Sequence, residues 1–427
     1  MMKELNRNFT PNIRPVTDIN YQQPVIHNLD NGIPVYLLQT GTQDIVKIEF
    51  IFNAGNYYEP KSLVSWFTNK MLKEGTQNFT ASQIAEKIDY YGAHLELSAD
   101  KDKAYITVYT LNKYLSEILP IVEDVIFYPL FPENELNIKI QNKKQEYIVN
   151  SNKVKNLARW KFDELLFGEN HPYGKFVNAD DYDTIVQKDL IDFHRDNYFI
   201  ADCKIIAAGN IHKNFIGILN KFFGKHTESH TRKNLNINPI ETSNLHMMHY
   251  KKEDALQSAI RIGKKLFNKK HPDFLKLQVV NTILGGYFGS RLMSNIREDK
   301  GYTYGIGSEI VSVQHSGYFF IASEVGAEVT QSAVDEIYHE IDVLQNEKVP
   351  ETELKLVKNY MLGSFLRSID GPFAMSENFK GLLEYDLDYN YLKSFVEIVK
   401  DVNAIEIQEL AQRYFDKKSL IELKVGS

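Results

Sequence analysis

Apolar and polar positions in the first half of the chain predict a helix, two strands and two more helices in succession. TASQIAEKIDYYGA has apolar residues at helical spacing, with Thr80 as N-cap, Gln83 at the capping-box position and Gly92 as the stop. HLELSA and AYITVYTL follow, and their alternation of apolar and polar positions is typical of strands. The next two segments, NKYLSEILPIVEDVIFYP and FPENELNIKIQNKKQEYIVNS, predict helices.

The second half repeats this order. SRLMSNIREDKG predicts the helix, YTYGIGSEIVSV and GYFFIASEV the strands, and TQSAVDEIYHEIDVLQNE and VPETELKLVKNYMLGSF the two later helices. FPENEL from Phe131 recurs as VPETEL from Val349, an offset of 349 − 131 = 218 residues. The pattern predicts an α+β fold with two similar domains, each a mainly antiparallel sheet with helices packed on one face.

A polar stretch separates the two repeats. Residues 224–245 are rich in Asn, Thr and Ser, contain Pro239 and lack apolar periodicity. They predict a linker between an N-terminal domain of residues 1–223 and a C-terminal domain of residues 246–427.

Composition excludes several classes of protein. The 427 residues are 43% apolar, which is enough for packed cores, and the net charge of 49 − 56 = −7 argues against a nucleic-acid partner. The single cysteine, Cys203, rules out an internal disulfide. No stretch approaches the roughly 18 apolar residues of a membrane helix. The start lacks an apolar signal region, so we expect a cytoplasmic protein, with the periplasm as the alternative if a leader was removed.

One segment of the second half carries a family resemblance. NTILGGYFGSRLMSNIREDKGYTYGIGS, from Asn281 to Ser308, resembles the C-terminal domain of the M16 metallopeptidases, the family of pitrilysin and the mitochondrial processing peptidases. Similar phrases, such as NGIPVYLLQT, MLKEGT and ENHPYGK, extend the resemblance over nearly the whole chain. The matching residues are Leu284, Gly285, Gly286, Ser290, Arg291, Leu292, Arg297, Glu298, Gly301 and Tyr304, and Gly289 completes the glycine-rich loop.

The resemblance also implies where a zinc motif would lie. Active M16 members carry H-x-x-E-H on one helix before a phrase like MLKEGT, with a later glutamate as third ligand. Here Trp66 and Lys70 stand at the histidine positions and Asn69 at the glutamate position, while Glu146 matches the third ligand. Indole, ammonium and amide groups cannot together bind Zn²⁺ and deprotonate water. We therefore expect no metal on this chain, and we interpret Glu146 as a surface acid that could pair with Lys70.

The resemblance implies a role beside a second subunit. In paired bacterial M16 enzymes the subunit without the motif supplies an arginine and a tyrosine to its partner's site, and Arg297 and Tyr304 match that pair. The prediction is an inactive subunit of a zinc metallopeptidase that cleaves peptides with an H-x-x-E-H subunit, with zinc on that partner. The matching peptide-binding strand comprises His94, Leu95, Glu96, Leu97, Ser98 and Ala99.

Other interpretations remain open at this point. The chain could be a non-enzymatic homodimeric scaffold or peptide-binding protein, or a self-sufficient hydrolase with relocated ligands. Arg297 could pair with Glu298 or Asp299, while Tyr304 packs in the sheet. The HTESH segment, His226 to His230, places its glutamate on the wrong side for a metal site, and we expect it to be solvated linker.

Overall fold

The structure is a computed structural model that describes residues 19, 21–227, 240 and 246–427. Most of the predicted linker, residues 228–239 and 241–245, lies outside the described residues, so the domain limits stay a prediction. In the described part of the chain, no helix combines the length and apolar character needed to span a bilayer.

The first sheet has six strands in the order β1-β2-β6-β3-β5-β4. All neighbouring strands are antiparallel except β2 and β6, which are parallel. The strands are β1 (Val25–Asn28), β2 (Pro34–Gln39), β3 (Ile45–Phe52), β4 (His94–Ala99), β5 (Ala104–Leu111) and β6 (Lys204–Gly209).

The second sheet has five strands in the order β7-β11-β8-β10-β9, with β7 and β11 as the parallel pair. This order is that of the first sheet without β1, which confirms the predicted α+β fold of two similar mainly antiparallel units. The equivalent strands β4 and β9 each end a sheet. The strands are β7 (Met247–Lys251), β8 (Gln257–Leu266), β9 (Thr303–Val313), β10 (Ser316–Gly326) and β11 (Ile421–Gly426).

Helices cover both sheets, and their starts follow the sequence signals. The helices are α1 (Val64–Met71), α2 (Ala81–Tyr90), α3 (Leu115–Phe127), α4 (Glu133–Ser151), α5 (Val154–Phe167), α6 (Gln187–Asn197), α7 (Phe215–Phe223), α8 (Phe274–Leu284), α9 (Thr330–Asn346), α10 (Glu351–Ser368), α11 (Pro372–Leu383), α12 (Tyr389–Asp401) and α13 (Ala404–Tyr414). Thr80 and Gln83 form the predicted capping box before α2. The echoing phrases start α4 and α10, and 351 − 133 again gives 218.

One predicted helix is only partly regular. The SRLMSNIREDKG segment is π-helical over Met293–Asp299, where the prediction expected an ordinary helix. The wider π turn lets Lys300 donate its N–H to the carbonyl of Asn295, five residues earlier, at 2.9 Å. Hydrophobic spacing does not distinguish a π turn from an α turn over so few residues.

Each half contributes one helix that packs on the sheet of the other half. Most helices of a half pack on one face of their own sheet, and these layers form the two large cores. However, α5 packs on the opposite face of the second sheet, together with Leu423 and Val425 of β11. In the same way α11 packs on the opposite face of the first sheet, together with Leu38 and Ile206. Each sheet is therefore covered on its second face by a helix of the other half.

A buried ionic network fixes α11 to the first sheet. Lys47, which is 1% exposed, lies 3.4 Å from Glu49 on the same strand and donates to Ser376 at 3.2 Å. Lys380 of α11 lies 3.0 Å from Glu49 and 2.7 Å from Glu377. The two ammonium groups and two carboxylates balance in charge, as buried charges must if they are to be stable.

Candidate functional site

Helix α1 lies in the first core and carries the residues at the zinc-motif positions. It starts after Leu63, whose φ of 75° is left-handed, and the Glu59 carboxylate accepts the Ser65 N–H at 3.1 Å near the first turn. Its buried face packs against α6 and the rest of the first core. The first corner is defined here as Trp66, Asn69 and Lys70 of α1 with Lys143 and Glu146 of α4.

The side-chain ammonium of Lys143 lies between Trp66 and Glu146. The Lys143 ammonium lies 4.7 Å from the Trp66 ring centre and 2.9 Å from a Glu146 carboxylate oxygen. Glu146 is therefore a surface acid, as expected, but its partner is Lys143. The suggested pairing with Lys70 was wrong, because Lys143 is three residues before Glu146 on the same helix face.

The amide of Asn69 turns away from this cation into the core. Its Nδ2 lies 3.4 Å from the Tyr105 carbonyl oxygen and 3.4 Å from the Tyr198 hydroxyl, and the residue is fully buried. Its Oδ1 has no hydrogen-bond partner. Asn69 therefore contributes to packing between α1, the first sheet and the end of α6, with no group that could deprotonate a water molecule.

Lys70 reaches the edge of the first sheet. Its ammonium donates to the backbone carbonyl of Leu97 on β4. Burial lowers the pKa of Lys70, and Lys73 lowers it further, against an opposing effect of Glu96. Lys70 is thus a half-buried cation bonded to an uncharged acceptor.

These residues do not fit a zinc ion. Three donors from His, Cys, Asp or Glu within reach of one point are the usual minimum, and Glu146 is the one such group in the first corner. Across the described ranges, no group of three or more such residues could hold a metal ion. The chemistry of the side chains, with two ammonium groups at the corner, opposes a divalent cation.

The second corner, defined as Phe288, Arg297 and Tyr304, has the opposite character. Tyr304 is 95% exposed and Phe288 is 62% exposed. The Arg297 guanidinium lies 4.7 Å from the Phe288 ring centre, and its Nε donates to the Tyr304 carbonyl at 3.0 Å. The structure thus brings the predicted pair together at the surface, and Tyr304 does not pack in the sheet.

The alternative pairing of Arg297 is weak. Its terminal amino group lies 3.9 Å from Glu298, beyond hydrogen-bond distance. The Arg297 guanidinium stacks on the Phe288 ring and donates from Nε to the Tyr304 carbonyl, and these two contacts fix its orientation. Its terminal amino groups take no part in that hydrogen bond.

Neighbouring contacts hold the second corner in place. Arg291 makes a bidentate pair with Glu353 of α10, both distances being 2.9 Å. Asn295 donates to two glutamates of α9, at 3.0 Å to Glu336 and 2.7 Å to Glu340. The π-helical segment is therefore fixed on both sides, which supports the position of Arg297 within it.

The glycine-rich loop serves close packing. Gly285 accepts the Ser308 N–H of β9 at 3.0 Å, and a Cβ on Gly285 would lie 2.5 Å from the Ser308 hydroxyl. At Gly286 a Cβ would lie 2.7 Å from the Thr282 backbone. At Gly289 it would lie 2.9 Å from the Tyr287 ring. These glycines join the end of α8 to β9.

The sequence analysis did not predict the surroundings of three residues. His226 is not solvated linker: it stacks on Phe127 at 3.7 Å and contacts Glu123 at 2.8 Å, while the rest of HTESH after residue 227 lies outside the described residues. Lys143 and Phe288 were also missed. The helical spacing between Lys143 and Glu146 was the available signal for the first, and none marked Phe288.

The comparisons with known proteins agree with this geometry. Residues 35–167 match a family model described as insulinase (peptidase family M16), and residues 184–361 match one described as the peptidase M16 inactive domain. The chain belongs to the M16 peptidase family, which confirms the resemblance. The second description names a domain, and the chemistry of this chain must be judged from its own residues.

Individual relatives match this chain over different lengths. The chain is 25% identical over 405 residues to an uncharacterized zinc protease, YmxG, of Bacillus subtilis, covering 93% of this chain and 97% of that protein. It is 27% identical over 208 residues to the mitochondrial-processing peptidase subunit alpha-1 of Dictyostelium discoideum, covering 47% and 31%. A crystal structure described as the peptidase M16 inactive domain from Pseudomonas fluorescens superposes with a TM-score of 0.85 at 21% identity, covering 96% and 98%.

Proposed function

We propose that this chain is the non-catalytic subunit of an M16 zinc peptidase and presents Arg297 and Tyr304 to the site of an H-x-x-E-H subunit. The observation that carries the proposal is the contrast between the corners. The zinc-motif positions hold side chains that cannot bind the metal, whereas the Arg297 guanidinium is held against the Tyr304 backbone carbonyl and the Tyr304 side chain is exposed. The chain would then be no peptidase by itself.

The chemistry of the pair suits peptide hydrolysis. Guanidinium and phenol groups can both donate hydrogen bonds to a carbonyl oxygen that becomes negative as water attacks. Tyr304 is 95% exposed and Phe288 is 62% exposed, so both rings would be accessible to the surface of a second subunit. The names of the relatives are consistent with this role, since one is a zinc protease and another is a subunit of a processing peptidase.

The test is reconstitution with the zinc-bearing partner. Co-purified with an H-x-x-E-H subunit, the wild-type chain should support peptide cleavage, with zinc on the partner only. Arg297→Ala and Tyr304→Phe should each lower kcat about 100-fold or more, the usual effect of losing an oxyanion donor. Arg195→Ala and Tyr90→Phe, at exposed sites elsewhere, serve as matched controls and should leave the rate unchanged.

Two results would contradict the proposal. One is full cleavage by complexes that carry either substitution in the second corner. The other is tightly bound zinc and peptide cleavage by the chain purified alone. A stable homodimer that co-purifies with no zinc subunit would favour the scaffold interpretation instead.

A further inference from the structure

Strand β4 offers an edge to which an extended chain could add. Within the described sheets, β4 pairs with β5 alone. The Asp100 N–H bonds to the Lys103 carbonyl at 2.9 Å where the hairpin closes, which fixes the alternation of the ladder. In an antiparallel pair every second residue bonds to the partner strand, so Leu95, Leu97 and Ala99 direct their N–H and C=O groups outward.

The middle carbonyl of this edge is already occupied. Leu97 accepts its hydrogen bond from Lys70, which occupies the second histidine position of the zinc motif. An added strand would need that carbonyl, because strand addition uses the outward groups in register. Lys70 therefore competes with an added strand for the Leu97 carbonyl.

The surroundings make displacement of Lys70 from Leu97 costly. The two lysines of α4 near Lys70 are already paired, Lys139 with Glu74 at 2.7 Å and Lys143 with Glu146 at 2.9 Å. Burial is the largest cause of the lowered pKa of Lys70. The positive charges of Lys73, Lys139 and Lys143 lower this pKa further. A displaced Lys70 ammonium would stand half-buried among like charges, with Glu96 as the carboxylate that opposes them, and losing the Leu97 acceptor there is unfavourable.

The groove beside the edge can accommodate side chains. A cavity of about 370 Å³ lies between α2 and the start of β4, with Ile84, Ile88 and Leu95 in its apolar lining and Lys73 among its polar groups. Side chains of an added strand would alternate between this groove and solvent. Glu74 and Asp89 also line the groove, and Glu74 is paired with Lys139. The remaining charges of Lys73 and Asp89 are opposite in sign, so selection by charge falls to Lys70.

We propose that Lys70 makes the β4 edge selective for extended peptides that carry a carboxylate side chain near Leu97. A glutamate or aspartate there would accept the hydrogen bond that Lys70 gives up, and the ammonium would exchange a neutral acceptor for a charged one. A neutral amide at that position would offer Lys70 only another uncharged carbonyl, so the exchange would gain nothing over the Leu97 carbonyl. The proposal names the peptide class for β4, the strand that resembles the family's peptide-binding strand, and it rests on the proposed role of this chain in peptide cleavage.

The test measures peptide binding to the isolated chain, with no partner subunit. Fluorescence anisotropy would compare a labelled ten-residue extended peptide carrying glutamates at alternate positions with the same peptide carrying glutamines. The wild-type chain should bind the glutamate peptide about tenfold more tightly or better. Lys70→Met should remove most of this preference by strengthening glutamine-peptide binding, whereas Lys70→Arg should keep it.

The control is Lys393→Met, which removes the same charge from an exposed site on α12 and should leave the preference intact. Equal binding of the two peptides by the wild type, an unchanged preference in Lys70→Met, or no binding of either peptide would each overturn the inference. None of these results affects cleavage by the reconstituted pair, so the two proposals can fail separately.

Discussion

The edge strands β4 and β9 occupy equivalent places in the two sheets but are closed in different ways. At β9, Asn281 of α8 donates to the Ser308 carbonyl at 3.2 Å, and the Ser308 N–H bonds to Gly285 at 3.0 Å. At β4, the Leu97 carbonyl accepts a hydrogen bond from the ammonium at the end of the long Lys70 side chain. The second edge is thus closed by short buried groups, and the first by one long side chain.

This difference shows how one architecture divides its tasks. The closed β9 edge is rigid, and a rigid edge can support the exposed second corner in a fixed position. In the first corner, Trp66, Asn69 and Lys70 stand at the zinc-motif positions, and Glu146 pairs with Lys143. Under the proposed function, each half would supply a different part of what a complete site needs.

The largest expected effect comes from opening the β9 edge. Gly285→Ala would place a Cβ 2.7 Å from the Ser308 backbone nitrogen, so α8 and β9 would have to separate. We expect the free energy of unfolding to fall by about 3 kcal/mol or more, as for other severe overpacking. The control is Gly305→Ala on β9, where an added Cβ would have nothing within 4 Å. This substitution should change stability little. Equal stability of the two variants in urea denaturation would refute the rigid edge.

The stability of the protein should depend on pH through a buried histidine of α6, the helix that packs against the first corner. His194 of α6 donates from Nε2 to the Ile126 carbonyl at 2.8 Å and stacks on Tyr198, which contacts Asn69. Burial lowers the pKa of His194 to about 4. Since the unfolded value is about 6.5, the unfolded chain binds the proton more readily, and stability is lost as pH falls from about 6.5 to about 4.

The expected loss from His194 is roughly 2–3 kcal/mol over that range. Urea denaturation at a series of pH values would measure it, and His194→Gln, which keeps a donor for Ile126, should flatten the curve. His212→Gln, at a histidine whose side chain is 51% exposed, is the control. An identical pH dependence in wild type and His194→Gln would show that this histidine does not couple α6 to pH.

The smallest expected change in stability comes from removing the side chains that hydrogen-bond the edge carbonyls, Asn281 at β9 and Lys70 at β4. Asn281→Ala leaves the buried Ser308 carbonyl without its side-chain donor and should cost about 1–3 kcal/mol. Lys70→Met removes the side-chain donor to the Leu97 carbonyl at the sheet edge and should cost under about 1 kcal/mol. Both are read from denaturant midpoints. A cost for Lys70→Met equal to that for Asn281→Ala would mean that the β4 edge is as permanently closed as β9.

Short-range sequence patterns were enough to predict much of the fold. The capping box at Thr80, the stop at Gly92 and the recurrence of the proline-led helix start at an offset of 218 are short-range patterns, and they were confirmed. The absence of zinc donors at Trp66, Asn69 and Lys70 follows from side-chain chemistry alone.

Long-range packing was not readable in the same way. Lys47 and Glu49 alternate with apolar residues on β3 as an exposed face would, yet α11 covers them. The partner of Lys70 is a backbone carbonyl, which no sequence pattern identifies. The exposure of Tyr304 depends on where the sheet ends, and this too is a property of the assembled fold.

The exchange of α5 and α11 has a consequence for how the chain loses its structure. Pulling the halves apart would strip one apolar layer from each sheet at once, including Leu423 on one and Ile206 on the other. The protein should therefore melt in one cooperative transition, and a fragment comprising only one half should aggregate or remain unfolded. Duplication of the unit has produced two halves that resemble each other but depend on each other to fold.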